Sequence, residues 1–216
     1  MSDDVLPTID GLDAFAAEIE LRLAHASGRL MVGIAGSPGS GKSTAAALLA
    51  ERFGGEAALV PMDGFHLANE QLAALGRRDR KGAPDTFDAD GYVALLERCR
   101  RSYGAEGRTV YAPRFVREIE ESHGSAIAVP PSARLVITEG NYLLLDRAPW
   151  SELGEVLDVR YHLAVDQDVR RERLIARHIA FGKSPEDARA WSLGPDEANA
   201  VLIEVAAARA DAIVRL

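Results

Sequence analysis

Residues 36 to 43 run Gly-Ser-Pro-Gly-Ser-Gly-Lys-Ser and match G-x-x-x-x-G-K-[ST] at every fixed position. Small residues at this spacing let successive backbone N–H groups turn inward around an anion, because no Cβ stands in the way. The lysine adds a positive charge and the final hydroxyl a hard metal ligand. This is chemistry for a nucleoside triphosphate. Gly36, Ser37, Pro38, Gly39, Ser40, Gly41, Lys42, Ser43 and Thr44 are expected to cradle ATP, with Lys42 bridging the β- and γ-phosphates and Ser43 ligating Mg²⁺.

Two carboxylates could complete a phosphoryl-transfer site. Asp63 follows the apolar run Leu59-Val60-Pro61-Met62, and Glu139 follows Val136-Ile137-Thr138. If both runs are strands of one open sheet, both acids stand beyond strand carboxyl ends, where such sheets bind ligands. One carboxylate beside a γ-phosphate can take the proton of an attacking hydroxyl, and another can hold the Mg²⁺ shell. The plainer alternatives are a helix N-cap for Asp63 and a loop hydrogen bond for Glu139.

Cations are placed to help them. Arg170, Arg173 and Arg177 fall on one helical face, and Phe181-Gly182-Lys183 behind them reads as a hinge. A lid over about residues 168–184 would close arginines on the transferring phosphoryl, with Arg173 and Arg177 the foremost candidates. A solvated face paired with Glu172 is the alternative. Arg77, Arg78, Arg80 and Lys81 form the densest basic stretch, inside a candidate substrate loop over about 76–88. They could draw an anionic substrate or simply be solvated. His66, Arg80, Lys81, Arg114 and Arg117 are candidate substrate contacts, with His66 one helical turn past Asp63. Trp150 and Trp191 are expected to pack rather than to stack on a base.

The elements that must position these residues are legible in the hydrophobic pattern. Leu12 to Ala26 is an amphipathic helix, Leu30 to Ala35 a strand buried on both faces, and Ser43 to Phe53 a helix. The order strand, loop, helix is the one the phosphate loop requires. Ala57 to Met62, Leu135 to Thr138 and Val156 to Val165 read as further strands. Phe65 to Leu75 reads as a helix, and Asp88 caps one running to about Tyr103. Thr109 to Phe115 and Ala126 to Val129 are short extended segments around a charged turn. Asp166 caps the basic helix to about Phe181, Ser184 and Pro185 restart it, Asp196 to Ala208 is helical, and Ala212 to Val214 closes the sheet. Alternating strands and helices predict an α/β fold, a three-layer α/β/α arrangement around a mainly parallel sheet, as one domain over residues 1–216.

Composition narrows the classes. A formal charge of −8, from 33 acidic and 25 basic residues, argues against a nucleic-acid groove. No apolar run reaches the roughly 20 residues needed to cross a bilayer. The acidic start Met1-Ser2-Asp3-Asp4-Val5 shows no secretory signal. The single cysteine, Cys99, excludes an internal disulfide, fits a reducing cytoplasm, and reads as helical packing. The expectation is a cytoplasmic protein with a small-molecule substrate and no membrane insertion, a homodimer being left open. A guanine-reading N-K-x-D and a transporter-type L-S-G-G are both missing. Asp88-Ala89-Asp90-Gly91 matches the D-x-x-G of GTPase switches, but helix capping explains it better.

Gly36 to Thr44, Asp63-Gly64-Phe65-His66 and Glu139-Gly140 together resemble the P-loop kinases that include uridine kinase, bacterial pantothenate kinase and phosphoribulokinase. Arg80 to Asp88 is similar to the substrate loop of pantothenate kinases, and Asn199 followed by Arg209-Ala210 echoes that branch. With Glu139-Gly140-Asn141-Tyr142-Leu143-Leu144 and Arg177 to Lys183 added, the chain looks most like nucleoside/nucleotide kinase-like proteins labelled fructose transport system kinases. The resemblance runs from about residue 30 to the end. It implies a P-loop NTPase fold, Asp63 as catalytic base, and Glu139 as a metal-shell or substrate contact. One departure is Val116, standing after Phe115 where relatives commonly carry Asp or Ser. The function expected is an ATP-dependent kinase acting on a hydroxyl of a sugar, nucleoside or pantothenate-like metabolite. A non-catalytic ATP-binding module of a sugar uptake system is the alternative.

Overall fold

The structure, a computed structural model, describes residues 6–216, and the acidic start Met1 to Val5 lies outside them. The chain opens with β1 (Thr8–Asp10), α1 (Leu12–His25), β2 (Leu30–Ala35), α2 (Lys42–Phe53), β3 (Ala57–Pro61), α3 (Asn69–Ala74) and α4 (Ala89–Arg101). A two-stranded antiparallel hairpin follows, β4 (Val110–Val116) with β5 (Glu121–Val129). The rest comprises β6 (Leu135–Gly140), α5 (Leu153–Val156), β7 (Val159–Ala164), α6 (Gln167–Ala180), α7 (Pro185–Leu193), α8 (Pro195–Ala206) and β8 (Ala212–Arg215).

Six of the strands form one sheet in the order β1-β8-β7-β2-β6-β3, and every pairing in it is parallel. Side chains alternate across a strand, so β2 serves two cores. Leu30, Val32 and Ile34 pack with Phe15, Ile19 and Leu23 of α1 and Ala45, Ala46 and Leu49 of α2. Met31 and Ala35 join the opposite core, with Tyr92, Leu96 and Cys99 of α4 and Ile203 of α8. Helices therefore cover both faces, which gives three layers around a parallel sheet. No helix among the described residues is long and apolar enough to cross a membrane.

The register delivers the site. Ala35 lies beside Gly140, and Pro61 beside Glu139, so β2, β6 and β3 end level. The phosphate loop and the Met62-Asp63 turn thus emerge together beside the end of β6, whose Glu139, expected beyond the strand, is still paired within it. Gly64 brings in the hairpin: a Cβ there would collide with the Pro113 carbonyl, so the β4 backbone lies directly on the turn that carries Asp63.

Several elements differ from the sequence-based expectation. Phe65 to Leu75 is not one helix. Met62–Phe65 is a 3₁₀ turn, and α3 begins only at Asn69. Between them, the Leu67 N–H bonds to the Thr86 carbonyl at 3.0 Å and the Asp88 N–H to the Phe65 carbonyl at 2.8 Å. Tertiary pairing with the 76–88 loop replaces helical bonds there. The strand expected from Val156 starts at Val159, because Leu153–Val156 closes a short helix first. The extended segments near residues 109 and 126 are one long hairpin, and β1 carries too few residues to show a period. The caps fall as expected: Asp88 accepts from the Gly91 N–H, Asp166 from Asp168 and Val169, and Ser184 from Asp187.

Candidate functional site

β2 ends at the fully buried Ala35, and the chain turns through Gly36 to Gly41 before α2 starts at Lys42. Gly39 (φ 85°) and Gly41 (φ 93°) take left-handed conformations that residues with a Cβ rarely adopt. A Cβ on Gly39 would also stand 2.7 Å from the Arg170 carbonyl oxygen, so α6 rests against the loop. Pro38, Lys42 and Ser43, at the positive end of α2, line a cavity of about 360 Å³. That volume is within the range of small-molecule sites.

The loop is also held from behind. Ser37, fully buried, donates its hydroxyl to Glu204 Oε1 at 2.5 Å, and Glu204 Oε2 stands 3.2 Å from Nε2 of the buried His162. The His162 imidazole and the Ser37 hydroxyl bond pull the Glu204 carboxyl below the usual range against the effect of partial burial. Glu204 comes from α8 and His162 from β7, so the far end of the chain braces the loop. Pro38 is tied in turn by its carbonyl to the Arg170 guanidinium at 3.4 Å.

Lys42 and Asp63 line this cavity, Glu139 is buried and does not line it, and the three shape one another's ionisation. Burial pushes Lys42 down, with Glu139 and Asp63 opposing, which is the state of an ammonium short of counter-charge. Glu139 is 4% exposed, and burial raises its carboxyl to about 6 against the pull of Lys42. The Ser43 hydroxyl also acts to lower it, which places these two oxygen donors side by side. Burial would raise Asp63 as well, but His66, Arg117, Lys42 and Arg177 outweigh it and hold the carboxyl below the usual range. Burial keeps His66 itself below the ordinary imidazole value, so Arg117, Lys42 and Arg177 are the cations on Asp63 at neutral pH. Arg117 is the nearest, with its guanidinium 3.1 Å from Asp63 Oδ2. Asp63 is therefore an ionised acceptor at neutral pH.

The candidates from sequence separate sharply. Lys42, Ser43, Asp63, His66, Lys81, Arg117 and Arg177 all line the one cavity. His66 sits there through a 3₁₀ turn rather than a helix, its Nδ1 2.8 Å from the Asp63 carbonyl oxygen and its ring centroid 4.0 Å from that of Phe87. Arg80 is ion-paired with Asp85 and does not line the cavity. Arg114 is exposed on the opposite face of β4 from Phe115, which does line it. Arg173 is exposed but reaches the loop, its guanidinium 3.8 Å from where a Gly41 Cβ would stand. Arg170, on the same face, is wholly buried and committed to Glu197 at 2.5 Å and Gln167 at 2.9 Å. Thr44 is exposed on the first turn of α2.

Trp150 packs against Phe87, Tyr92 and Tyr142 in the core, as expected, whereas Trp191 lines the cavity with the Lys183 ammonium 4.5 Å from its ring. Cys99 is buried and its thiol is pushed up to about 11, consistent with inert packing. Sequence spacing gave no sign of Asn69, Glu120, Asn141, His178 or Asp196 on the cavity wall. His178 and Asp196 pair at 2.8 Å from two different helices, a contact that no local pattern encodes. Asn141, directly after Glu139-Gly140, carries a buried side-chain oxygen without a partner.

Known proteins share this arrangement of elements. A family model described as "Phosphoribulokinase / Uridine kinase family" matches residues 31–215. A Schizosaccharomyces pombe protein named "Putative uridine kinase" is 40% identical over 163 residues, covering 71% of this chain and 68% of that one. The Escherichia coli protein YggC, named as uncharacterised, is 34% identical over 201 residues, or 91% of this chain and 81% of that one. A crystal structure from Silicibacter sp. TM1040, described as a "putative fructose transport system kinase", aligns with a TM-score of 0.84 and 37% identity over 95% of this chain and 98% of that one.

Proposed function

This chain belongs to the phosphoribulokinase/uridine kinase family, and from that premise we propose that it transfers the γ-phosphoryl group of ATP to a hydroxyl of a small metabolite. The observation that carries this reading is Asp63: a carboxylate paired with Arg117 in the same cavity as Lys42 and Ser43 of the phosphate loop. A site built only to hold a nucleotide needs no proton acceptor there, whereas transfer to a hydroxyl does.

In the proposed reaction Asp63 accepts the proton of the acceptor hydroxyl as its oxygen bonds to the γ-phosphorus. The bond from that phosphorus to the β–γ bridging oxygen breaks, and ADP leaves with the electron pair. Lys42 and Arg177, with Arg173 at the rim, neutralise charge on the transferring group. Ser43 and Glu139 supply neighbouring hard oxygen donors that fit Mg²⁺. When bound, the ion would offset charge on the phosphate oxygens. Phe181 and Trp191, which line the cavity, would limit water, whose attack is the competing reaction.

The test is acceptor-dependent ADP release by the purified chain with Mg-ATP, across sugars, sugar acids, sugar phosphates, nucleosides and pantothenate. At least one acceptor is expected to raise ADP production well above the rate without acceptor. Folded, ATP-loaded protein that no acceptor stimulates would instead favour a binding-only module.

A further inference from the structure

Of the four basic residues between Arg77 and Lys81, the fold occupies two and leaves two for the cavity. Arg77 and Arg80 both close on Asp85, the first through its carbonyl at 2.8 Å and its carboxylate at 3.5 Å. Lys81 and Arg78 line the cavity instead. The Arg78 guanidinium has no hydrogen-bond or ion-pair partner among the described residues.

Lys81 is the more informative of the two. Its side chain is 13% exposed, and its ammonium donates to Asn69 Oδ1 at 2.8 Å and to the Glu120 carbonyl at 2.5 Å. Both are neutral oxygens. The nearest carboxylate oxygen, on Glu120, is 3.9 Å away on a side chain 58% exposed, where solvent screens it. An ammonium has three N–H donors, so one is left over. Burying a cation on neutral partners is costly unless an anion completes the set. Burial also lowers its pKa, with Glu120 and Glu121 opposing and Arg78 adding to the shift.

The placement suits an acceptor. The Lys81 ammonium stands 5.2 Å from the Phe115 ring, that ring stands 4.8 Å from the His66 ring, and His66 touches Asp63. Neither of the other wall acids is free to repel an anion, because Arg117 pairs with Asp63 and His178 with Asp196. The unpartnered oxygen of Asn141 would accept from a second hydroxyl. We infer that the acceptor carries an anionic group, a carboxylate or a phosphate monoester, that docks on Lys81 and Arg78 while its reacting hydroxyl faces Asp63. This deepens the kinase reading and rests on it.

Matched acceptors test it: glycerate against glycerol and gluconate against glucose for the carboxylate, ribose 5-phosphate against ribose and fructose 6-phosphate against fructose for the phosphate. For at least one pair kcat/KM is expected to favour the anionic member by roughly tenfold or more, the weight of one hydrogen bond to a charged group. Lys81→Met should lower that ratio by about tenfold, and Lys81→Arg should keep most of it. Because Lys81 also ties Asn69 to Glu120, the thermal midpoint is measured alongside. If Lys81→Met unfolds, the exposed Arg78→Ala carries the test through the same ratio. Preference for the neutral members, or a ratio untouched by the folded variants, would overturn the anion site and leave the kinase reading standing. No stimulation by any member would overturn the anion site, and the same silence from nucleosides and pantothenate would sink the kinase reading with it.

Discussion

Asp63→Asn is expected to lower kcat roughly 10²- to 10⁴-fold, the span that a positioned general base contributes, while ATP affinity stays the same or tightens. The substitution keeps the shape of the side chain and removes only its charge and its capacity to take a proton. Affinity should not fall, because a negative charge beside the triphosphate disappears and Arg117, now 3.1 Å from Asp63 Oδ2, is freed from its ion pair. Steady-state rates with a confirmed acceptor, together with calorimetry for ATP, separate the two effects. Near-normal turnover by the variant would remove the base assignment. A parallel loss of ATP binding would show instead that the 3₁₀ turn at Met62–Phe65 had been disturbed.

Lys42→Ala should be equally damaging for a different reason. Lys42 starts α2 directly behind the loop glycines, and burial leaves it short of counter-charge until an anion arrives. Removing it deletes a cation aimed at the phosphates in a site where charge is poorly screened. A loss of about 10²- to 10³-fold in kcat is expected, as for a single preorganised donor, with weaker ATP binding besides. The contrast with Asp63→Asn is diagnostic: one variant loses transfer alone, and the other loses transfer and binding together. Unchanged KM for ATP in the lysine variant would contradict its place on the triphosphate.

Much of this was legible in the residues because it is local. The loop from Gly36 to Ser43 declares itself through positions where a Cβ is excluded, and the left-handed Gly39 and Gly41 meet that constraint directly. Apolar runs announced β2, β3 and β6, and their parallel register then set Asp63 and Glu139 at level strand ends. The caps Asp88, Asp166 and Ser184 are short-range hydrogen bonds and were equally plain.

What stayed hidden is non-local. Spacing put Arg170, Arg173 and Arg177 on one face without showing that α8 supplies Glu197 to neutralise the first of them. Nothing near Ser37 signals that Glu204 braces it from the far end of the chain. The 77–81 run looked uniform in sequence, yet Asp85 claims Arg77 and Arg80 while Lys81 turns into the cavity. His66 followed Asp63 at helical spacing, but pairing with the 76–88 loop overrode the helix. Charge and periodicity assign faces; which face meets which partner is decided only when the layers close.

Every proposed step depends on ATP binding at the loop between β2 and α2, so the most direct measurement is a calorimetric titration of the folded chain with Mg-ATP, paired with its thermal midpoint. One binding site is expected, and near a hundredfold excess over Kd it should add roughly 2.7 kcal/mol to stability and raise the midpoint accordingly. No heat and no shift on well-folded protein would contradict the account at its root.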